Sequence, residues 1–196
     1  DMYEWTMDFL EVNGYMQYEI SNWALDRGPQ TMDRSSLSTF NGLPSHACRH
    51  NLQYWRSLPY LGLGAGAHGY AGSYRYSNAL RIKTYIDRLT ANSQMLKAEF
   101  PLTPATVNHH KQTPADDMSE YMINNLRLVE AGVAESDFKS RFGSGLLDIY
   151  PNEIEELIRS GLLEYAKTPE ISTTSEVLRL TKRGRSLGNQ VFMRFL

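Results

Sequence analysis

Cysteine is almost absent from this sequence: of 196 residues, Cys48 alone carries a thiol. A single thiol excludes a disulfide within the chain, and it excludes a zinc site or an iron–sulfur cluster held by several of the chain's own cysteines. Scarcity of cysteine also fits a reducing compartment, so we expect a cytoplasmic protein.

The sequence also lacks long apolar runs and a charge excess of either sign. No stretch approaches the roughly 18 consecutive apolar residues that a membrane-spanning helix requires, so we do not expect an integral membrane protein. Lys and Arg number 20 and Asp and Glu number 22, and the net charge of -2 provides no bulk attraction to nucleic acid or anionic lipid. The 41% hydrophobic content is instead typical of a globular chain that buries a core.

The N-terminal part predicts an α/β layout. Apolar residues three and four apart predict a helix over 3–12 that ends at Gly14, and an aromatic-rich strand over 15–23 follows. Helix, glycine and strand in this order favour the parallel arrangement of α/β proteins, and a surface loop is predicted over 26–42. Because the chain opens at Asp1, without an initiator Met and close to the predicted helix, we expect it to be a fragment of a longer protein.

The C-terminal part predicts a second, smaller domain. Residues 97–113 lose the apolar rhythm and contain two prolines, so we place a linker there, between domains at 1–96 and 114–196. The second domain is predicted to hold three helices, a β-hairpin that pairs residues 162–165 with residues 177–180, and a closing helix. That order describes a winged-helix-like domain.

Two threonines and one apolar stripe mark further helices. Thr113 before Pro114 is a typical helix start, and Thr181 is predicted to cap the closing helix. Residues 82–89 repeat apolar side chains on one helical face, which predicts a helix.

The most informative cluster is His50, Asn51, Tyr54 and Trp55. A neutral histidine nitrogen can ligate iron, and a neighbouring Asn can orient the ring by a hydrogen bond. Tyr and Trp offer flat amphipathic surfaces that suit a porphyrin face. The alternative is a loop whose aromatic pair packs against the fold while His50 only satisfies a backbone group, and isolated histidines are more often of this kind.

A second candidate is a segment that starts as a predicted strand at Pro59 and continues as a run of small residues. Glycine and alanine let the backbone approach a ligand closely. The run departs from the G-x-G-x-x-G dinucleotide fingerprint, because Ala67 takes the place of the last Gly, and no long apolar helix follows it. Its small residues and the histidine that ends it are Gly62, Gly64, Ala65, Gly66, Ala67, His68 and Gly69.

Glu19 and Ser21 form a third candidate. Side chains two apart in a strand share one face, so this carboxylate and hydroxyl are predicted to point together and could bind a polar ligand. The alternative, equally compatible with the residues, is a structural Glu paired with a basic neighbour.

Two further clusters favour a structural rather than a ligand-binding interpretation. Adjacent side chains in an extended chain point apart, so His109 and His110 are read as a solvated linker rather than a metal site. The basic run Lys182, Arg183 and Arg185, with Arg179 nearby, would suit a DNA-binding wing, but the predicted closing helix completes the fold instead of entering a groove.

Taken together, residues 14–24, 50–55 and 59–69 resemble the HemW/HemN family of radical S-adenosylmethionine (SAM) proteins in the order and spacing of their motifs. The C-terminal half is also similar to that family, at residues 125–132 and 180–184. The resemblance therefore covers essentially the whole chain.

The resemblance implies an α/β fold: the C-terminal part of a radical-SAM partial (β/α) barrel, followed by a small helical winged-helix-like domain. It also implies a [4Fe-4S] cluster and S-adenosylmethionine in the full-length protein. The family's cluster motif of three cysteines is absent here, and Cys48 cannot replace it, so this chain alone is expected to be inactive in radical chemistry.

By the same resemblance, His50, Asn51, Tyr54 and Trp55 match the motif associated with haem binding in the chaperone branch of the family. Residues of the S-adenosylmethionine pocket are implied at Glu19, Ser21, Gly64, Ala65, Gly66, Ala67 and His68. The expected function is a haem chaperone that binds haem or a porphyrin and serves membrane respiratory haem proteins. The alternatives are an oxygen-independent coproporphyrinogen III oxidase and, more remotely, a winged-helix nucleic-acid-binding protein.

Overall fold

The computed structural model describes residues 2–25, 43–44, 46–91, 99–167 and 176–196. The chain divides into two compact units, Asp1–Arg56 with Met118–Leu196, and Ser57–Asp117. The helices are α1 (Met2–Val12), α2 (Arg49–Trp55), α3 (Ile82–Ala91), α4 (Pro114–Asn125), α5 (Glu135–Phe142), α6 (Leu146–Ile149), α7 (Pro151–Arg159), α8 (Lys182–Ser186) and α9 (Gly188–Phe192). The strands are β1 (Tyr15–Glu19), β2 (Asn22–Leu25), β3 (His68–Ala71), β4 (Tyr74–Asn78), β5 (Thr106–Lys111), β6 (Val133–Ala134), β7 (Leu163–Lys167) and β8 (Glu176–Leu180).

Helix α1 confirms the helix predicted at the start of the chain. Met7 is buried on its inner face, and Gly14, with a φ of +80°, lets the backbone leave the helix in the left-handed conformation. Within the described residues, no helix combines the length and the apolar composition needed to cross a membrane. The loop predicted over 26–42 lies outside the described residues.

The single strand predicted over 15–23 is wrong, because β1 and β2 form an antiparallel hairpin. The break lies at Ile20 and Ser21. There the Glu19 carboxylate accepts a hydrogen bond from the Ser21 backbone N–H, and the Tyr3 hydroxyl donates to the Ile20 carbonyl at 2.9 Å. Every strand pair in the described part of the chain is antiparallel, so these residues do not form the parallel arrangement expected from their order.

The unit Ser57–Asp117 is built on an antiparallel sheet in the order β3-β4-β5. Strand β5 lies inside the segment predicted as a linker, and it pairs along β4 from Tyr74 opposite Lys111 to Ser77 opposite Asn108. The helix predicted over 82–89 is confirmed as α3. Its apolar stripe is largely exposed in this structure.

The C-terminal part of the other unit has the winged-helix order that the sequence predicted. Helix α4, strand β6, helices α5 to α7 and the hairpin β7–β8 follow one another, and the sheet order is β6-β8-β7. Leu163 pairs with Leu180 at one end of the hairpin, and the predicted pairing of these two segments is confirmed. The core of this region contains Met122, Leu126, Val133, Phe138, Leu146, Ile154, Leu163, Leu178, Leu180, Val191 and Phe195.

Both predicted threonine caps are present. The Thr113 hydroxyl accepts from the Asp116 N–H at 3.2 Å, and the Thr181 hydroxyl accepts from the Gly184 N–H at 2.9 Å. The closing helix predicted after Thr181 is divided into α8, α9 and a 3-10 turn at Met193–Phe195.

Candidate functional site

The cluster predicted to bind haem lies on a short helix, α2. Leu52 faces inward and is 3% exposed, in a small core with Tyr18, Ala24 and Leu128. His50 is exposed. Because α2 is amphipathic in this way, one face fixes the helix to the unit while another faces outward.

His50 and Tyr54 form a pair one helical turn apart. The His50 Nε2 lies 3.2 Å from the Tyr54 hydroxyl oxygen. The two rings meet edge to face, with centroids 4.9 Å apart and an interplanar angle of 88°. Spacing of four residues brings side chains together on one helical face, so an imidazole and a phenol meet at one outward-facing position.

Trp55 faces a different neighbour from this pair. The guanidinium carbon of Arg127 lies 4.3 Å from the Trp55 ring centre, and the same group lies 5.7 Å from the ring centre of Phe192. Trp55 is half-buried and packs against the small core under α2. One face of this indole is therefore covered by Arg127, which makes Trp55 an anchor of the helix.

Glu19 contacts the same guanidinium, and we call the group of Trp55, Arg127 and Glu19 the anchor of α2. Glu19 is 0% exposed, and one carboxylate oxygen accepts from the Ser21 N–H and from the Asn22 side-chain amide. The other oxygen, Oε2, faces the Arg127 guanidinium at 3.9 Å. Arg127 is tied to the same turn by its own carbonyl, which accepts from the Ile20 N–H at 3.2 Å.

The anchor is under-satisfied in its hydrogen bonding. Among the described residues, three buried atoms of the anchor have no hydrogen-bond partner: Glu19 Oε2, Arg127 Nε and Trp55 Nε1. Glu19 and Arg127 therefore interact as an ion pair at 3.9 Å and not through a direct hydrogen bond. The cation–π contact with Trp55 further stabilises the Arg127 charge.

Glu19 and Ser21 do not share a face as the strand pattern predicted. The turn after Glu19 leaves Ser21 exposed while the Glu19 carboxylate is fully buried. The alternative interpretation, a structural Glu with a basic partner, is the one that the geometry bears out, and the partner is Arg127.

The small-residue segment forms a tightly held loop in the unit Ser57–Asp117. The Asn78 side-chain amide donates to the carbonyls of Gly62 and Gly64, both at 3.0 Å. The hydroxyls of Tyr76 and Tyr85 accept from the N–H groups of Gly62 and Gly64, at 3.0 and 3.2 Å. Sequence reasoning missed the three side chains that shape this loop, because they lie 14 or more positions beyond the glycines that they contact.

Backbone conformation explains two of the glycines in this loop. Gly64 has a φ of +103° and Gly66 a φ of +69°, a region that side chains with a Cβ rarely adopt. The strand predicted to start at Pro59 is reduced to an isolated bridge between Tyr60 and Tyr70. The loop ends at His68, which is exposed and begins β3.

The two adjacent histidines lie on β5 and face different neighbours. His109 lies beside the Tyr74 ring, with centroids 6.0 Å apart, and the His110 Nε2 lies 3.3 Å from the Asp116 carboxylate. Hydrogen bonds from the Thr113 backbone and hydroxyl lower the pKa of Asp116, and His110 adds to that effect. In the part of the chain that the structure describes, no three His, Cys, Asp or Glu side chains converge on a common metal position.

The basic residues near the C-terminus are engaged in ion pairs. Lys182 pairs with Asp8 at 2.6 Å, and Arg179 and Arg185 both pair with Glu130, at 2.5 and 2.9 Å. A cleft of about 500 Å³ lies beside them, and it is lined by Met7, Glu11, Gly14, Tyr15, Met16, Gln17, Trp23, Glu130, Lys182 and Arg185. Its cations face carboxylates of the same chain, which leaves little net positive charge for an anionic ligand.

Comparison with known proteins identifies relatives along the whole chain. Residues 112–187 match the family described as the HemN C-terminal domain. The chain is 33% identical over 196 residues to the protein named heme chaperone HemW of Bacillus subtilis (strain 168), and 32% identical over 196 residues to that of Lactococcus lactis subsp. lactis (strain IL1403). All of this chain is covered in both cases, together with 42% and 41% of the relatives.

A solved structure shows the same fold. It is coproporphyrinogen III oxidase (HemN) from Escherichia coli, described as a radical SAM enzyme, with a TM-score of 0.60 and 16% identity. The match covers 98% of this chain and 39% of that one. The chain thus spans about two fifths of the length of the relatives it matches, and its mixed α/β fold corresponds to the C-terminal region of HemN. It belongs to the family of HemW and HemN proteins.

Proposed function

We propose that this chain is part of a haem chaperone, which binds haem through helix α2 and delivers it to membrane respiratory haem proteins. The observation that carries the proposal is the outward-facing pair of His50 and Tyr54, 3.2 Å apart. Imidazole and phenolate are both established ligands of haem iron. Relatives with 33% and 32% identity are named heme chaperones, which supports the same function.

Each of the four motif residues has its own role in this proposal. His50 and Tyr54 contact the porphyrin near its iron, and Asn51 lies between them on α2. Trp55, with Arg127 over its ring, holds α2 in place. The haem-binding role of Trp55 is therefore mainly one of position.

S-adenosylmethionine and a [4Fe-4S] cluster belong to the proposal for the whole protein, because the family is one of radical-SAM proteins. The residues of this chain do not fit the cluster, since Cys48 is its only cysteine. For S-adenosylmethionine we propose the loop Gly64, Ala65, Gly66, Ala67 and His68. Glu19 and Ser21 remain a separate proposal for the same ligand, and Glu19 acts in it only through the hairpin turn that it holds, because its carboxylate is fully buried.

An oxygen-independent coproporphyrinogen III oxidase is the second candidate, because the structural neighbour is that enzyme. The two functions differ in what happens to the porphyrin: a chaperone returns haem unchanged, whereas the oxidase decarboxylates propionate side chains. A winged-helix DNA-binding function has less support, since Lys182, Arg179 and Arg185 are all paired with carboxylates of the same chain.

The test of the proposed function is a hemin titration of the purified chain, followed at the Soret band. The double variant His50→Ala/Tyr54→Phe removes both candidate ligands, and His109→Ala is the matched control because His109 is exposed on β5. We expect saturable binding by the chain and by the control, and a loss of at least about tenfold in affinity in the double variant. Equal binding by all three chains, or no binding by the folded wild-type chain, would contradict the proposal.

A further inference from the structure

Helix α2 carries the candidate haem ligands, but it has few of the features that stabilise a helix by itself. It has seven residues, and isolated helices shorter than about 12 residues are marginal in water. Its N-cap residue, Cys48, makes no side-chain capping hydrogen bond within the described part of the chain. Its first turn holds Arg49, whereas the helix dipole favours an acidic residue there. The position of α2 therefore depends on tertiary contacts.

Those contacts come from the segment that follows α4, in the same compact unit. On the inner face of α2, Leu52 packs in a small core with Leu128, which is 1% exposed. At the end of α2, the ring of Trp55 lies 4.3 Å from the guanidinium carbon of Arg127. Two consecutive residues thus contact the inner face and the last residue of the helix.

Arg127 is itself held at two points. Its guanidinium faces the fully buried Glu19 carboxylate at 3.9 Å, and its carbonyl accepts from the Ile20 N–H at 3.2 Å. Among the described residues, Glu19 Oε2 and Arg127 Nε make no hydrogen bond, so the charge of the guanidinium is what holds it beside the carboxylate. We infer that Arg127 is a positioning residue of the proposed haem site. Held by Glu19, it sets the place of Trp55 and so the orientation of α2.

The leverage of this contact follows from helix geometry. His50 precedes Trp55 by five residues, which is about 7.5 Å along the helix axis. A tilt of α2 by about 10° around its last residue would therefore move His50 by about 1 Å. Ligands of a binding site must be held to within about 0.5 Å, so a small tilt is enough to weaken haem binding. This inference rests on the proposed haem-binding function.

The experiment separates positioning from stability by comparing hemin affinity with unfolding free energy. The purified full chain is titrated with hemin at the Soret band and unfolded with urea, in parallel with Arg127→Met, Arg127→Lys and Glu19→Gln/Arg127→Met. The double variant neutralises the buried carboxylate but does not restore the guanidinium over Trp55. Gly184→Ala is the control, because its added Cβ would disturb the same unit at the carbonyl oxygen of Leu162 and not at α2.

We expect Arg127→Met to remain folded at the titration temperature and to bind hemin about tenfold more weakly, the low end of the loss usual for residues that orient a metal site. Arg127→Lys should lose less, because it keeps the charge that faces Glu19. Glu19→Gln/Arg127→Met should be more stable than Arg127→Met and yet bind hemin as weakly. Gly184→Ala should be less stable than the wild type and bind hemin with unchanged affinity.

Three results would overturn the inference. They are unchanged affinity in Arg127→Met, recovery of affinity together with stability in the double variant, and a loss in Gly184→Ala equal to that in Arg127→Met. Each of them leaves the proposed function intact if the wild-type chain binds hemin and His50→Ala/Tyr54→Phe does not. Absence of hemin binding by the folded wild-type chain is a different result, and it defeats the proposed function itself.

Discussion

Arg127 lies over the indole of Trp55, with 4.3 Å between the guanidinium carbon and the ring centre, although 72 positions separate the two residues in the chain. The same guanidinium faces the fully buried Glu19 carboxylate at 3.9 Å. Helix α2 is therefore held through its last residue by a contact with the segment that follows α4. The pair of His50 and Tyr54 sits on this anchored helix, so the position of the candidate ligands depends on residues outside the motif.

Replacement of Arg127 by Met is expected to destabilise the unit by about 2 to 4 kcal/mol, because it leaves the buried Glu19 charge unpaired and removes the cation–π contact. The measurement is urea unfolding. Arg127→Lys keeps the charge but loses the planar stacking group, so its unfolding free energy should lie between that of Arg127→Met and that of the wild type.

The double variant Glu19→Gln/Arg127→Met tests the origin of that loss. Once the carboxylate is neutral, its burial costs less, so the double variant should be more stable than Arg127→Met alone. If Arg127→Met changed the unfolding free energy by less than about 0.5 kcal/mol, within the range of ordinary surface substitutions, the anchor would be energetically unimportant.

Gly184 at the start of α8 is expected to tolerate no side chain. A Cβ there would meet the carbonyl oxygen of Leu162, a backbone atom that cannot move aside cheaply. We expect Gly184→Ala to cost about 3 kcal/mol or more, since the overlap forces the backbone to shift. Gly143→Ala is the control: φ is +80° and no atom lies within 4 Å, so only backbone strain of about 1 kcal/mol is expected. Equal losses in thermal stability would contradict the steric argument.

Asn78 is expected to hold the small-residue loop. Its amide donates to the carbonyls of Gly62 and Gly64 and is buried, so Asn78→Asp replaces two donors with a buried carboxylate. We expect hydrogen exchange at residues 62–66 to quicken by about tenfold or more, equivalent to about 1.4 kcal/mol of lost protection. Asn108→Asp on the exposed strand β5 is the matched control and should leave the loop unchanged. Unaltered exchange in Asn78→Asp would show that the loop is held by other contacts.

Alkaline pH is expected to weaken the C-terminal core through Tyr121. Burial raises the pKa of this phenol to about 12, with a smaller contribution in the same direction from Asp137, while Arg141 lowers it. Because the folded pKa lies above the unfolded value of about 10, the contribution is complete below pH 10 and is lost as pH rises through 12. The loss is roughly 2 to 3 kcal/mol.

Tyr121→Phe isolates this effect from the titration of other groups. The variant has no phenol to ionise, so its unfolding free energy should fall less steeply between pH 10 and 12 than that of the wild type. Parallel profiles for the two chains would show that Tyr121 ionises normally in the folded state.

Local signals explain which elements the sequence predicted correctly. The caps at Thr113 and Thr181 and the hairpin of β7 and β8 depend on residues close together in the chain, and all three are confirmed. The strand over 15–23 was wrong because its interruption depends on a tertiary contact from Tyr3 and on the side chain of Glu19. Strand β5 was missed because its pairing with β4 overrides a segment with no apolar rhythm.

The candidate site divides in the same way. The spacing of four residues between His50 and Tyr54 can be read from the sequence, and a single helical turn is enough to bring the two side chains together. The contact of Arg127 with Trp55, the burial of Glu19 and the hydrogen bonds from Asn78 to the glycine loop can be seen only in the folded chain. Periodicity and capping act over one or two turns, whereas burial and ion pairing join residues that are distant in the sequence.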